Sequence, residues 1–288
     1  MISASLGMVA LWQFAAVVRD PLHRPRLRLA LCGMAMGLSL GAKWSIAPAL
    51  VVPGLMFLAL RVKERGLRFI GRKGAGPIPG ISLVEAAFWL GILPIAVYWL
   101  TYMPGFFWAV RPIDPLGFLQ HHEYMLKLQD SVKRLHPYRS VWYQWIGNWR
   151  GIWFLYQFVG GAQRGIMLIG NPFTMLAGLP ALFWCLWVGL FRQRHDALAF
   201  VALYALLLVL WAINGKPIQF YYHYLLPAAF LMTCLALALD ALAERADKWR
   251  WIMPASLAVA LGMFVYFYPI LSAAKLHHGK TSFAQYTW

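Results

Sequence analysis

TMLAGLPALFWCLWVGLFRQRHDALAFVALYALLLVLWAI, residues 174–213, decides the fold. Two apolar runs, 174–191 and 197–213, flank a short break that holds Arg192 and Arg194. A helix that crosses a bilayer needs roughly 20 apolar residues. Each run has that character, and neither carries the polar face that a water-facing helix requires. The pair reads as two membrane spans joined by a basic turn.

The same signature extends outward in both directions. Further runs lie at 2–18, 29–42, 45–60, 86–110, 224–239 and 252–271, which gives about eight spans. Composition agrees: 61% of the 288 residues are hydrophobic, 12% are charged, and there are 15 tryptophans. Soluble domains carry about 25% charged residues. The expected fold class is an all-α integral membrane protein with one large external loop.

The breaks supply an orientation. Arg19, Arg24, Arg26 and Arg28 form one basic cluster, and Arg61, Lys63, Arg65, Arg68, Arg72 and Lys73 form the next. Arg192 and Arg194 follow, then Arg245, Lys248 and Arg250. The alternate short breaks hold only Lys43 and Lys216, with Lys275 and Lys280 in the tail. Positive charge favours the cytoplasmic side, so the first set is expected inside and the second outside. The formal charge of +16 is thereby explained without nucleic acid, and no nucleic-acid partner is expected. Residues 61–80, rich in Gly, Pro and basic side chains, read as a flexible loop against an anionic leaflet. The bilayer itself is the first partner. Cys32, Cys185 and Cys234 all fall inside apolar runs and read as small buried hydrophobes.

Three regions follow: a membrane region at 1–102, an external Trp/His-rich loop at 103–173, and a four-helix membrane domain at 174–288. Within the loop, Phe118 to Leu135 can be written as a helix with Leu119, Met125, Leu128 and Val132 on one side. Trp142, Trp145, Trp149 and Trp153 recur every three or four residues, so a helix there would carry a tryptophan edge. Tryptophan favours the headgroup region. Such a helix is either an interfacial anchor or a lid over a lipid-linked substrate.

Lys43 is the most informative single residue. It stands in GLSLGAKWSIAP between runs of 14 and 16 residues, and a lysine near the membrane interior must snorkel or meet an anion. Gly33, Gly37 and Gly41 form a ladder that permits close helix packing. His223, in NGKPIQFYYHYLLP, sits at the outer end of a span near Lys216, and a histidine there can donate to phosphate or carry a proton. His122 and His136 are too far apart for a helical metal pair and match no HExxH pattern; neither metal nor cofactor is expected. Sugar or phosphate binding by His, Arg and Trp side chains fits the loop better. Asp114 and Glu123 are the nearest external carboxylates to serve as a base, and no motif supports either.

HPYRSVWYQW (136–145), WRGIWFLY (149–156), GNPFTMLAGLPALFW (170–184), YYHYLLPAAF (221–230) and FVYFYP (264–269) together resemble the carboxy-terminal half of the protein O-mannosyltransferases. The glycine-rich span ending in AKWS is similar to that family's glycine-rich span ending in Lys-Trp. The likeness runs from about residue 28 to residue 270, and is nearest the bacterial members. It implies a GT-C-type glycosyltransferase that moves mannose from a polyprenyl-phosphate carrier to Ser or Thr of exported proteins, with inversion. The implied setting is the inner membrane, with the large loop outside. The resemblance carries Lys43 over as a phosphate-side contact. His136, Tyr138, Arg139, Trp142 and Trp145 become donor or acceptor contacts, and His223 lines the site. The family's external Asp-Glu pair, its expected base, has no counterpart, since no Asp-Glu dipeptide occurs here. The chain is therefore expected to be an amino-terminally truncated form, and the catalytic residue is unassigned. A polyprenyl-phosphate aminoarabinose transferase acting on lipid A, a transporter and a scaffold subunit are the alternatives.

Overall fold

The computed structural model describes residues 1–66, 70, 78–131, 136–216 and 218–276. The chain forms two compact units, Met1–Ser131 and Val132–Trp288.

Seven helices among the described residues are long and apolar enough to cross a membrane. They are Ile2–Arg19, Trp44–Arg65, Leu83–Leu100, Pro172–Phe191, His195–Ile213, Tyr221–Arg245 and Asp247–Leu271. At 1.5 Å per residue they span about 27 to 37 Å, against a hydrocarbon core of about 30 Å. The run expected at 29–42 lies in a further helix, Pro25–Ala42, whose first turn carries Arg26 and Arg28. Those two arginines leave it short of the others in apolar length.

In the first unit, Pro25–Ala42 packs along both Ile2–Arg19 and Leu83–Leu100. The glycine ladder makes the second contact possible. A Cβ on Gly33 would collide with the carbonyl oxygen of Trp89. One on Gly37 would lie 2.6 Å from the Pro94 carbonyl oxygen, and one on Gly41 2.6 Å from Thr101 Oγ1. Leu83–Leu100 is capped by Ser82, whose Oγ accepts from the Glu85 N–H at 3.0 Å. A wide turn at Phe88–Ile92 precedes Pro94, where the missing proline N–H relaxes the helical ladder. The span ends at Leu100, ten residues short of the expected 110, and only a single turn, Met103–Phe106, follows.

One end of this unit is basic. Arg26 and Glu85 pair at 2.6 Å. Arg61 departs from its reading as part of a flexible surface loop: the helix continues to Arg65, and Arg61 is fully buried, donating to the Ile81 carbonyl at 3.0 Å. Arg68, Arg72, Lys73 and Lys280 lie outside the described residues, as do Val132 and Leu135.

In the second unit, Pro172–Phe191, His195–Ile213 and Tyr221–Arg245 pack against one another, and the last helix joins them. Asn171 caps the first, accepting from the Thr174 N–H, and its amide reaches the Ala260 carbonyl at 2.8 Å. The three cysteines are free and fully buried.

The helix expected with a tryptophan edge does not form. Only Trp142–Ile146 is helical. Gly147, Asn148 (φ 58°), Arg150 (φ 60°) and Gly151 break the backbone, and an antiparallel hairpin follows: β1 (Ile152–Val159) and β2 (Ala162–Leu168). Gly160 and Gly161, both at positive φ, make the two-residue turn, as tight hairpins demand. Trp153 and Met167 on the inner face pack against Phe267 and Ile270 of the last helix. Phe154, Tyr156 and Phe158 face outward.

Candidate functional site

The residues singled out from the sequence fall into two groups, one in each unit.

In the first unit, Lys43 lies at the end opposite the Arg26–Glu85 pair. It is the extended residue between Pro25–Ala42 and the turn that opens the next span. Its backbone is held on both sides. The N–H donates to the Ser39 carbonyl at 3.1 Å, and the carbonyl accepts from Ser3 Oγ at 3.4 Å. Ser39 Oγ in turn donates to the Ser3 carbonyl at 2.7 Å. The lysine itself is exposed.

The adjacent Trp44 stacks on His122, with centroids 5.2 Å apart and planes 13° apart. Its indole N–H donates to Tyr98 Oη at 2.6 Å. His122 Nδ1 lies 2.7 Å from the Phe118 carbonyl oxygen, an atom that only accepts, so that nitrogen carries the proton. In the neutral ring Nε2 is then an acceptor, and it takes the hydrogen bond from Tyr98 Oη. Tyr102 Oη, 3.0 Å from Tyr98 Oη, completes the chain as a donor. One tautomer of one histidine therefore orders the donor direction of two tyrosine hydroxyls. Helix Phe118–Ser131, which supplies His122, buries none of its residues fully. Glu123 on that helix pairs with Lys127 at 3.1 Å, and Asp114 accepts from the Leu116 N–H at 2.9 Å.

The second group gathers where Tyr221–Arg245 begins. HPYRS turns tightly, with the Arg139 N–H donating to the His136 carbonyl and the Tyr138 N–H to His136 Nδ1. The Ser140 N–H then joins the Gln219 carbonyl at 2.9 Å. His136 packs edge-on to Phe220, 5.2 Å between centroids. His136 and Arg139 are exposed, while Tyr138 and Trp142 are half-buried.

Trp145 and His223 occupy a different place. Trp145 is fully enclosed and donates from its indole N–H to Ser140 Oγ at 2.8 Å. His223 is 4% exposed and stacks on Trp211 at 3.7 Å, with Trp145 6.1 Å away. These two rings form the base beneath the loop rather than its open surface. Lys216 stands at the rim, its N–H donating to Asn214 Oδ1. Partial burial lowers its ammonium below the usual lysine range, because removal from water disfavours the charged form.

Sequence reasoning missed the clamp beside them. Tyr221 Oη donates to Asn148 Oδ1 and accepts from the Gly170 N–H at 3.0 Å, while Asn148 Nδ2 donates to the Gly170 carbonyl at 3.0 Å. A Cβ on Gly170 would sit 2.6 Å from that tyrosine oxygen. The signal was present in the breaker-rich NWRG and in the cap GNP. Tyr98 was likewise invisible within its apolar run. No three His, Cys, Asp or Glu side chains among the described residues are grouped to hold a metal.

Comparison with known proteins gives this geometry a setting. A family model described as the C-terminal four TMM region of protein-O-mannosyltransferase matches residues 116–288. The polyprenol-phosphate-mannose–protein mannosyltransferase of Mycolicibacterium smegmatis is 23% identical over 292 aligned positions, covering 89% of this chain and 55% of its own length. The protein of the same description from Mycobacterium tuberculosis is 23% identical, with 89% and 54% covered. The chain thus spans about half the length of the curated relatives it matches. Among solved structures, the S. cerevisiae protein O-mannosyltransferase Pmt1-Pmt2 complex bound to the sugar donor aligns with a TM-score of 0.50. Identity there is 19%, over 61% of this chain and 26% of that one.

Proposed function

Because the chain belongs to the protein O-mannosyltransferase family, through the carboxy-terminal region that fills residues 116–288, we propose that it serves mannose transfer from a polyprenyl-phosphate carrier. The acceptors are Ser and Thr hydroxyls of exported proteins. The hydroxyl oxygen attacks the anomeric carbon, the bond from that carbon to the phosphate oxygen breaks, and the lipid phosphate leaves with the electron pair. Cations beside the departing phosphate favour that step, and the hydroxyl proton passes to a base.

Lys43, Lys216 and Arg139 are the side chains suited to the phosphate, since each is a cation at the end of its unit opposite the Arg26 or the Arg192–Arg245 cluster. His136 offers its Nε2 to sugar or acceptor hydroxyls, its Nδ1 being taken by the Tyr138 N–H. Both nitrogens of His122 are engaged by Phe118 and Tyr98, so that residue contributes its ring edge beside Lys43 and Trp44. Tyr138 and Trp142 offer partly open rings to a sugar face. Trp145 and His223 act by holding the loop. The reading places the chain in the inner membrane, with residues 103–173 on the outer side. The observation that carries it is the family match over a unit whose end opposite Arg192 and Arg245 carries His136, Arg139 and Lys216.

Deletion of the gene, followed by mass analysis of exported proteins, tests the proposal. Loss of mannose on Ser and Thr, restored by a plasmid copy, is the expected result. Unchanged mannosylation accompanied by altered lipid A would reassign the chain to the aminoarabinose transferases.

A further inference from the structure

Along the second unit runs a groove whose lining includes none of the residues proposed for transfer. It is about 840 Å³ in volume and runs between Pro172–Phe191, Tyr221–Arg245 and the last helix. Its walls are apolar from Phe173 to Val188, with Trp184 and Trp187 among them, and three arginines close one end: Arg192, Arg194 and Arg245. No carboxylate is among the lining residues.

We propose that this groove binds an anionic phospholipid, the phosphate at the arginines and an acyl chain along the wall. The length of the wall supports a long occupant, because Phe173 to Arg192 is about 28 Å of helix. A soluble phosphate compound would leave that apolar length unfilled. A lipid without net charge would leave the cationic end uncompensated. Basic pockets between spans recognise lipid headgroups in this way.

The arginines differ in readiness. Arg194 is held by Asp196 at 2.7 Å and lies in the field of Asp240. Arg192 stands 5.5 Å over the Trp187 ring, and Arg245 ends its helix; neither has a carboxylate partner at ion-pair distance among the described residues. Those two side chains carry the headgroup contact.

The test uses the full chain, delipidated in neutral detergent and titrated with phosphatidylglycerol or phosphatidylcholine under native mass spectrometry. Each arginine near an anionic headgroup is worth about fivefold in affinity, so the wild type is expected to favour phosphatidylglycerol about 30-fold. R192Q/R245Q brings the two lipids to near parity. Ala177→Trp, which fills the apolar wall, weakens both. R19Q, in the other unit, changes neither. Equal binding of the two lipids by the wild type would overturn the proposal, as would a preference that survives R192Q/R245Q. Full displacement of phosphatidylglycerol by millimolar inorganic phosphate would also overturn it, since the tail would then add nothing. Mannosylation in cells carrying R192Q/R245Q reports on the transfer proposal separately.

Discussion

Single side chains in this protein divide into those that face outward and are proposed to bind, and those that hold them. Trp145 belongs to the second kind. Trp145→Ala is expected to cost about 3–5 kcal/mol of stability by emptying an enclosed indole site. Trp145→Phe, which mainly forfeits the bond to Ser140, is expected to cost about 1–2 kcal/mol; unfolding in micelles measures both. Lys216 belongs to the first kind. Its lowered value means that the unfolded chain keeps this proton to higher pH than the folded one. The folded state therefore gains stability as pH rises through the window just below the usual lysine range. Affinity for a lipid phosphate runs the other way and is expected to fall across the same window. Lys216→Arg should hold that affinity to higher pH in a donor-binding titration, and identical profiles would remove Lys216 from the site. Lys43, His136 and Arg139 were legible as site candidates because charge is rare here and conspicuous against apolar runs. Tyr98, Asn148 and Tyr221 were not, because their roles depend on partners 24 to 73 residues away.

Elements were legible wherever a strict spacing has one physical meaning. The Gly33–Gly37–Gly41 ladder was such a case, and the helix it was read to admit is Leu83–Leu100. Gly37→Val is expected to destabilise the protein by about 1–3 kcal/mol through overpacking. Gly54→Ala, at a position with nothing near its Cβ, should stabilise by up to about 1 kcal/mol through helix propensity. Tryptophan spacing misled, because 142, 145, 149 and 153 satisfy a helical period while the glycines and left-handed residues between them do not. VGGA within an aromatic, β-branched run was the competing signal, and it prevails in the hairpin. Gly161→Val, forced to a φ of 74°, should loosen the strands and speed amide exchange at Val159 and Ala162. Gly161→Asn should be milder, since Asn tolerates that region.

For the whole chain, basic clusters alternate with short breaks that hold only Lys43 and Lys216. This alternation makes a topological prediction. Cysteine placed at Tyr143 should react with an impermeant reagent from outside the cell, and cysteine at Arg250 only after the membrane is opened. The native thiols are buried and should stay silent. The reverse labelling pattern would invert the assignment of sides. Span ends were less legible than span existence. Leu100 and Arg65 mark helix ends that a count of apolar residues misplaces, because caps, prolines and a buried arginine set them.

The enclosure of Trp145 also bears on motion. A flap must have a hinge that can let go, and the short helix it belongs to is pinned by an aromatic plug whose withdrawal is about as costly as a severe core mutation. The segment from His136 to Ile146 is thus a fixed shelf rather than a door. On the proposed function, capture at this ledge is expected to proceed without waiting for a closure step of this segment.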